Sequence, residues 1–204
     1  MTVELLLFDL GGVLVNYTGF SEIGALLSES VAPEELQQRW RACGAEGFET
    51  GHLTPDEFAA ALGSVLAFHV APDEFLRRFE SWTVGFFDGA VELLAELRPR
   101  YRLAALSNSN VLHWGRNLAI GVPHEFEAAF SSHQLHLRKP NLAIYEEELR
   151  RLEVPAANVA FFDDTAVNVD AALAVGMQAH RVLGVEALRA CLVENGYLQA
   201  LMPK

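Results

Sequence analysis

Residues 3–15 read VELLLFDLGGVLV, an almost unbroken apolar run that meets an aspartate at position 9 and glycines at positions 11 and 12. A strand covered on both faces has this texture, because neither side of it meets water, and a glycine pair just beyond it marks the turn that ends it. Such a strand belongs at the centre of a parallel sheet. Its polar ending, Asp9, is then the first thing to explain.

From about residue 17 to 87 the signals are helical. Ala32-Pro33-Glu34-Glu35, Thr54-Pro55-Asp56-Glu57 and Ala71-Pro72-Asp73-Glu74 each put proline at a first helical position with acids in the first turn. The second is also a T-x-x-E capping box. This predicts an all-helical insert whose own core takes Phe58, Leu62, Val65, Leu66, Phe75, Phe79 and Trp82. After Asp88-Gly89, strand and helix alternate: a helix in AVELLAELR stopped by Pro99, a strand over 102–107 and a helix over 141–152 with Leu142, Tyr145, Leu149 and Leu152 on one face. A strand at 159–162 and a helix ending near Gly176 follow. The alternation predicts an α/β fold, a doubly wound, Rossmann-like parallel sheet built from residues 1–15 and 88–204, with the all-helical segment 16–87 inserted.

Composition narrows the function. With 204 residues, 51% apolar and 21% charged, the chain can bury a sizeable core, which excludes a disordered or fibrous protein. Its 27 acidic and 15 basic side chains leave a net charge of −12, a field that repels nucleic acid and anionic membrane, so neither is an expected partner. Cys43 and Cys191 are too far apart to form a zinc knuckle or a disulfide framework. Glu4 and Asp9 interrupt the first apolar run and no basic segment precedes it, so it does not read as a signal peptide. No window reaches the roughly 18 apolar residues of a membrane span. A cytoplasmic location is expected by default, and the oligomeric state is left open.

The crevice of a doubly wound sheet lies beyond the carboxyl ends of its strands. There stand Asp9, then Ser107-Asn108, then Asp163-Asp164, with Lys139 before Pro140 as a fourth candidate. Three carboxylates brought to about 4 Å repel by roughly 4 kcal/mol per pair at an effective dielectric near 20, so a cation must sit among them. An oxygen-only donor set suits Mg²⁺, which favours one or two carboxylates, waters and a substrate phosphate. A carboxylate attacking phosphorus to give an aspartyl-phosphate meets roughly 8 kcal/mol of repulsion from the phosphate dianion, which Mg²⁺ and Lys139 would offset. Ser107 and the first amides of the helix after it are candidate phosphoryl donors, and Gly11 and Gly12 allow backbone amides to come close. Any one of these motifs is commonplace. FDLGGVL, ALSNSN, RKP and FFDD in that order, with Asn168 four residues beyond the last, are not.

This ordered set resembles the haloacid-dehalogenase-like hydrolase superfamily over the whole chain, with residues 16–87 in the place of its helical cap. The resemblance implies Asp9 as nucleophile, Ser107 as the phosphoryl-binding hydroxyl and Lys139 as charge stabiliser. It implies Gly11, Gly12 and Asn108 at the substrate, and Mg²⁺ held by Asp9, Asp163, Asp164 and the Gly11 carbonyl. Asn168 falls where a group would hold a water on the metal. It also implies cap motion, with crossings near 15–20 and 84–89 as hinges. Most phosphatases of the family carry a second aspartate where this chain has Gly11, and losing a positioned acid–base group forfeits about 10²- to 10⁴-fold in rate unless something replaces it. Glycine at that position is also similar to a bacterial subgroup that includes glucose-1-phosphate phosphatases. The expectation is a Mg²⁺-dependent phosphatase for a small phosphorylated metabolite, with a sugar phosphate as the candidate substrate. The alternatives are a 2-haloacid dehalogenase, whose departing halide needs no proton, and a silent relative that binds a phosphometabolite. Phe48, Glu49 and His52 in segment 46–52 are candidates for substrate choice, while His133 and His136 read as loop residues.

Overall fold

Leu5, Leu6, Leu7 and Phe8 are wholly shielded from water, as a strand buried on both faces must be. They form the central strand of the computed structural model, which describes residues 2–199 apart from the Phe20 side chain. The ends assigned from sequence at residue 1 and over 200–204 lie outside the described residues. The strands are β1 (Leu5–Phe8), β2 (Val15–Tyr17), β3 (Thr83–Phe86), β4 (Arg102–Ser107), β5 (Ala128–Ser131), β6 (Val159–Asp163) and β7 (Gln178–Arg181). Five of them make one parallel sheet in the order β5-β4-β1-β6-β7.

The main helices are α1 (Phe20–Ile23), α2 (Pro33–Ala42), α3 (Ala45–Glu49), α4 (Pro55–Val65), α5 (Pro72–Glu80), α6 (Ala90–Leu97), α7 (Val111–Ala119), α8 (Ser132–Leu135), α9 (Leu142–Leu152), α10 (Ala166–Ala174) and α11 (Gly184–Glu194). Side chains alternate along a strand, so β1 feeds two cores at once. Leu6 and Phe8 pack with Leu93, Leu94 and Leu97 of α6 and Leu188 and Leu192 of α11. Leu5 and Leu7 pack with Ile144 and Tyr145 of α9 and Ala172 of α10. Helices therefore cover both faces, and the doubly wound architecture read from the sequence is the one observed.

Helices α1–α5 build a separate core in which Phe58, Leu62, Leu66, Phe75, Phe79 and Trp82 are buried and Val65 is partly so. The capping box at Thr54 is formed: Glu57 N–H donates to Thr54 Oγ1 at 3.3 Å and Thr54 N–H donates to Glu57 Oε2 at 2.8 Å. The chain crosses between the two cores through β2 and β3, a short antiparallel ribbon. This ribbon, β5 and β7 escaped the sequence reading because they are short and lack a continuous apolar run; β5 and β7 are the half-buried edges of the sheet.

One helix face differs from expectation. Leu142 is 44% exposed, because Asn141 caps α9 and leaves Leu142 in the first turn at the surface. The buried stripe is Ile144, Tyr145, Glu148 and Leu152. Glu148 has neither carboxylate oxygen hydrogen-bonded, and burial raises its pKa well above the usual carboxylate range, with Lys139 drawing it only partly back. No helix among the described residues is long and apolar enough to cross a membrane.

His113 on α7 ties the helical core to the sheet. Asn110 Oδ1 accepts from the Leu112 and His113 N–H groups, so its amide nitrogen is the end that meets His113 Nδ1 at 3.0 Å. His113 Nε2–H then donates to Phe79 O at 2.7 Å. Both ring nitrogens are satisfied only in the neutral tautomer, and burial pulls the imidazole down from 6.5 to about 4. A depressed histidine contributes stability that is present above the unfolded pKa and is lost as pH falls through the folded one. Between pH 6.5 and about 4 this amounts to on the order of 3 kcal/mol. Urea unfolding across that window should therefore show a steeper acid loss in the parent than in His113→Gln, and equal slopes would refute the assignment.

Candidate active site

β1, β4 and β6 end side by side, which brings Asp9, Ser107 and Asp163 to one edge of the sheet although they are far apart in the chain. Pairing sets the alignment: Phe8 lies opposite Ala105 and Phe162, so the residues just beyond all three stand on the same rim. Asp9 N–H donates to Phe162 O at 2.8 Å and extends that registration by one residue.

Lys139 is the cation among these groups. Its side chain is 1% exposed, and Nζ lies 2.8 Å from Asp9 Oδ1, 2.6 Å from Asp163 Oδ2 and 2.9 Å from Leu106 O, so all three of its protons have acceptors. Burial works to strip the ammonium of its charge, but Asp9 and Asp163 overrule it and the Lys139 pKa is raised. Asp9 is pushed up to about 7, chiefly by burial, with Lys139 pulling it down and Asp163 pushing it up. The Lys139-Pro140 peptide is cis. Asn108 holds this segment from the side: Lys139 N–H donates to Asn108 Oδ1, and Asn108 Nδ2 donates to Lys139 O, both at 2.9 Å.

Asp163 is fully buried and fully engaged. Oδ1 accepts from Thr165 N–H at 2.8 Å and Asn168 Nδ2 at 3.0 Å, while Oδ2 accepts from Lys139 and from Asn168 at 3.1 Å. Asn168 thus bonds a carboxylate directly. Asp164 is only partly buried, and Thr165 Oγ1 donates to its Oδ1 at 3.1 Å. Asp9, Asp163 and Asp164 present oxygens that all lie within 4.8 Å of one another. Three carboxyl groups against the single Lys139 ammonium leave the rim short of positive charge, and the oxygen-only donors match a hard divalent cation such as Mg²⁺. Asp9 and Asp164 are the freer donors, since both oxygens of Asp163 already have partners.

The glycines act differently from one another. Gly12 has a φ of +77°, and a Cβ there would come 2.7 Å from Asp164 Oδ2, so a side chain at 12 would displace that carboxylate. Its N–H is taken by Val15 O at 3.0 Å, which leaves the Gly11 amide as the nearby backbone donor. The Ser107 hydroxyl lines the cavity with no hydrogen-bond partner among the described residues. The helix amides expected to serve a phosphoryl group are already occupied: Asn110 caps those of Leu112 and His113, and Ser132 Oγ accepts from Ser109 N–H at 2.9 Å. Ser107 and the Gly11 amide remain as open donors on the cavity, while the three protons of Lys139 are already taken. A cavity of about 530 Å³ opens above them, with walls from both cores: Phe48 and Glu49 of α3 on one side, Asn108 and Thr165 on the other.

The chain is 28% identical over 188 residues to the sesquiterpene phosphatase astK of Aspergillus oryzae, a match covering 86% of this chain and 88% of that one. It is 26% identical over 196 residues to phosphatase MT3486 of Mycobacterium tuberculosis, covering 89% and 88%. Among solved structures, a HAD family enzyme of Bacteroides thetaiotaomicron in complex with magnesium and inorganic phosphate superposes with a TM-score of 0.72 at 24% identity. That match covers 88% of this chain and 94% of the other. The family model for haloacid dehalogenase-like hydrolases matches residues 3–176, the span that holds every residue of this site, and the chain belongs to that family.

Proposed function

We propose that this chain is a Mg²⁺-dependent phosphatase for a small phosphorylated metabolite, with Asp9 as the nucleophile that takes the phosphoryl group as an aspartyl-phosphate. One observation carries the reading: three carboxylates converge at the edge of the sheet, two of them on one buried lysine, so the rim has more acidic groups than cations to meet them. A phosphate dianion would be repelled from that rim unless a divalent ion joined it. The two relatives named as phosphatases support the same reaction class.

In this mechanism Asp9 attacks phosphorus while Lys139 keeps its carboxylate ionised and aimed. Ser107 and the Gly11 N–H donate to the phosphoryl oxygens, and Asp163 holds Lys139 in place while Asn168 holds Asp163. Asp9, Asp164 and the Gly11 carbonyl would hold the metal, with Asp163 beside them. When bound, Mg²⁺ supplies the charge that lets a carboxylate approach a phosphate. Helices α1–α5 act as the cap, the chain dividing at 1–15 and 88–204 against 16–87, and the β2–β3 ribbon is where the two parts would flex. The partner is a phosphorylated small molecule in the cytoplasm, and a sugar 1-phosphate, whose hemiacetal oxygen leaves readily, is the form that asks least of Gly11. Dehalogenation is disfavoured, because Asp164 would add uncompensated negative charge near an anionic haloacid.

Phosphate release from a panel of sugar and small-metabolite phosphates should require Mg²⁺ and cease with chelator, and Asp9→Asn should lose about 10³-fold or more in kcat while still unfolding in one cooperative urea transition. Halide release from 2-chloropropionate that survives chelation would sink the phosphatase reading. In chelator, Lys139→Met should lose about 3–5 kcal/mol of unfolding free energy, because two buried carboxylates are left without their cation. Urea denaturation measures this, and a variant as stable as the parent would show that the ion pair does not organise the rim.

A further inference from the structure

An alkoxide leaves phosphorus slowly unless a proton reaches its oxygen as the bond breaks, and the water that later frees Asp9 must lose one. Residue 11 has no side chain for either task. Six titratable side chains line the cavity: Asp9, Tyr17, Glu49, His113, Lys139 and Asp164. Four of them are committed and a fifth is a poor proton donor. Asp9 is the nucleophile and Asp164 a metal-side carboxylate in the reading above. Lys139 has acceptors for all three of its protons. His113 has both ring nitrogens bonded and stays neutral. Partial loss of solvent around the phenol, and the nearby charge of Glu49, make Tyr17 a weaker acid than usual.

Glu49 is left, and its surroundings hold it in place over the core. It ends α3, and its backbone carbonyl accepts from Ser132 Oγ at 2.6 Å. Next in the chain, Thr50 O accepts from His136 Nδ1 at 2.9 Å. Gly51 then packs so tightly on the core backbone that a Cβ there would come 2.5 Å from His133 O. Glu49 Oε2 lies 3.1 Å from Arg138 Nε, and Arg138 directly precedes Lys139. Burial pushes the Glu49 carboxyl up, Arg138 draws it partly back and Glu46 pushes it up again, the balance being a raised pKa. A carboxyl that keeps its proton more readily than usual suits an acid that must later act as a base.

We propose that Glu49 is the proton-transfer residue of the site, the group that serves the leaving oxygen and the attacking water in place of a side chain at residue 11. The inference rests on the phosphatase reading. As Asp9 bonds to phosphorus and the P–O bond to the alcohol breaks, the Glu49 acid gives its proton to the departing oxygen, releasing ROH and leaving Glu49 as carboxylate. That carboxylate then takes a proton from the water that attacks the aspartyl-phosphate. Inorganic phosphate departs, Asp9 returns as carboxylate and Glu49 as acid, so protons and charge balance over the cycle.

The test compares an alkyl phosphate such as benzyl phosphate with p-nitrophenyl phosphate, whose phenolate leaves without protonation, using kcat/KM with Mg²⁺ present. Glu49→Gln should lose about 10²- to 10⁴-fold on the alkyl ester and less than about 5-fold on the aryl ester. The ratio is unaffected by the fraction of the variant that folds. Gly11→Asp in the Glu49→Gln chain should restore the ratio, because a Cβ at 11 meets only Tyr17 Cβ at 3.8 Å and the φ there is not left-handed. Equal losses on the two esters would overturn the role of Glu49 while leaving the phosphatase reading intact. A parent enzyme that releases phosphate from neither ester or from the metabolite panel would overturn both.

Discussion

A lysine ammonium buried between two carboxylates is the interaction on which the rest of this structure depends. Lys139 brings its charge into the interior only because Asp9 and Asp163 receive it, and those two carboxylates stand close together only because Lys139 separates them. Removing any one member exposes the others to an uncompensated buried charge. The fold supplies the geometry: Asp9 and Asp163 hang from adjacent parallel strands, and Lys139 is fixed by the Asn108 amide through both its N–H and its carbonyl.

That arrangement makes the rim rigid where chemistry needs aim and leaves it short of positive charge where a ligand is wanted. Asp163, with four hydrogen bonds, belongs to the rigid part. Asp164, partly exposed and lying against Gly12, belongs to the open part. The two adjacent aspartates look equivalent in the sequence and are not equivalent in space, because a strand end turns one inward and the other out. The wall opposite comes from the helical core, so catalysis on this edge is tied to where α3 sits.

Much of this was legible beforehand. The FDLGGVL run, the alternation after residue 88 and the proline-led helix starts each encode local structure, and the structure has the central strand, the doubly wound sheet and the helical core that they predict. The order of FDLGGVL, ALSNSN, RKP and FFDD identified the family. What local pattern could not reveal was the use of each polar group once the chain had folded. Asn108 became a clamp for Lys139, and Glu148 entered the core where periodicity had put Leu142. These outcomes depend on neighbours more than twenty residues away, as with Asn108 and Lys139, or on which turn of a helix the surface crosses.

By itself, then, the sequence determined the central strand, the proline-led helices and the order of the polar motifs, because hydrophobic periodicity, capping and turn residues act over a few positions. Only tertiary structure decided which polar atoms of Asp9, Lys139, Asp163 and Asp164 pair with one another and which stay open, and that Glu49 from the helical core lines the same cavity. Charge pairing and burial act through space, and no spacing along the chain specifies them.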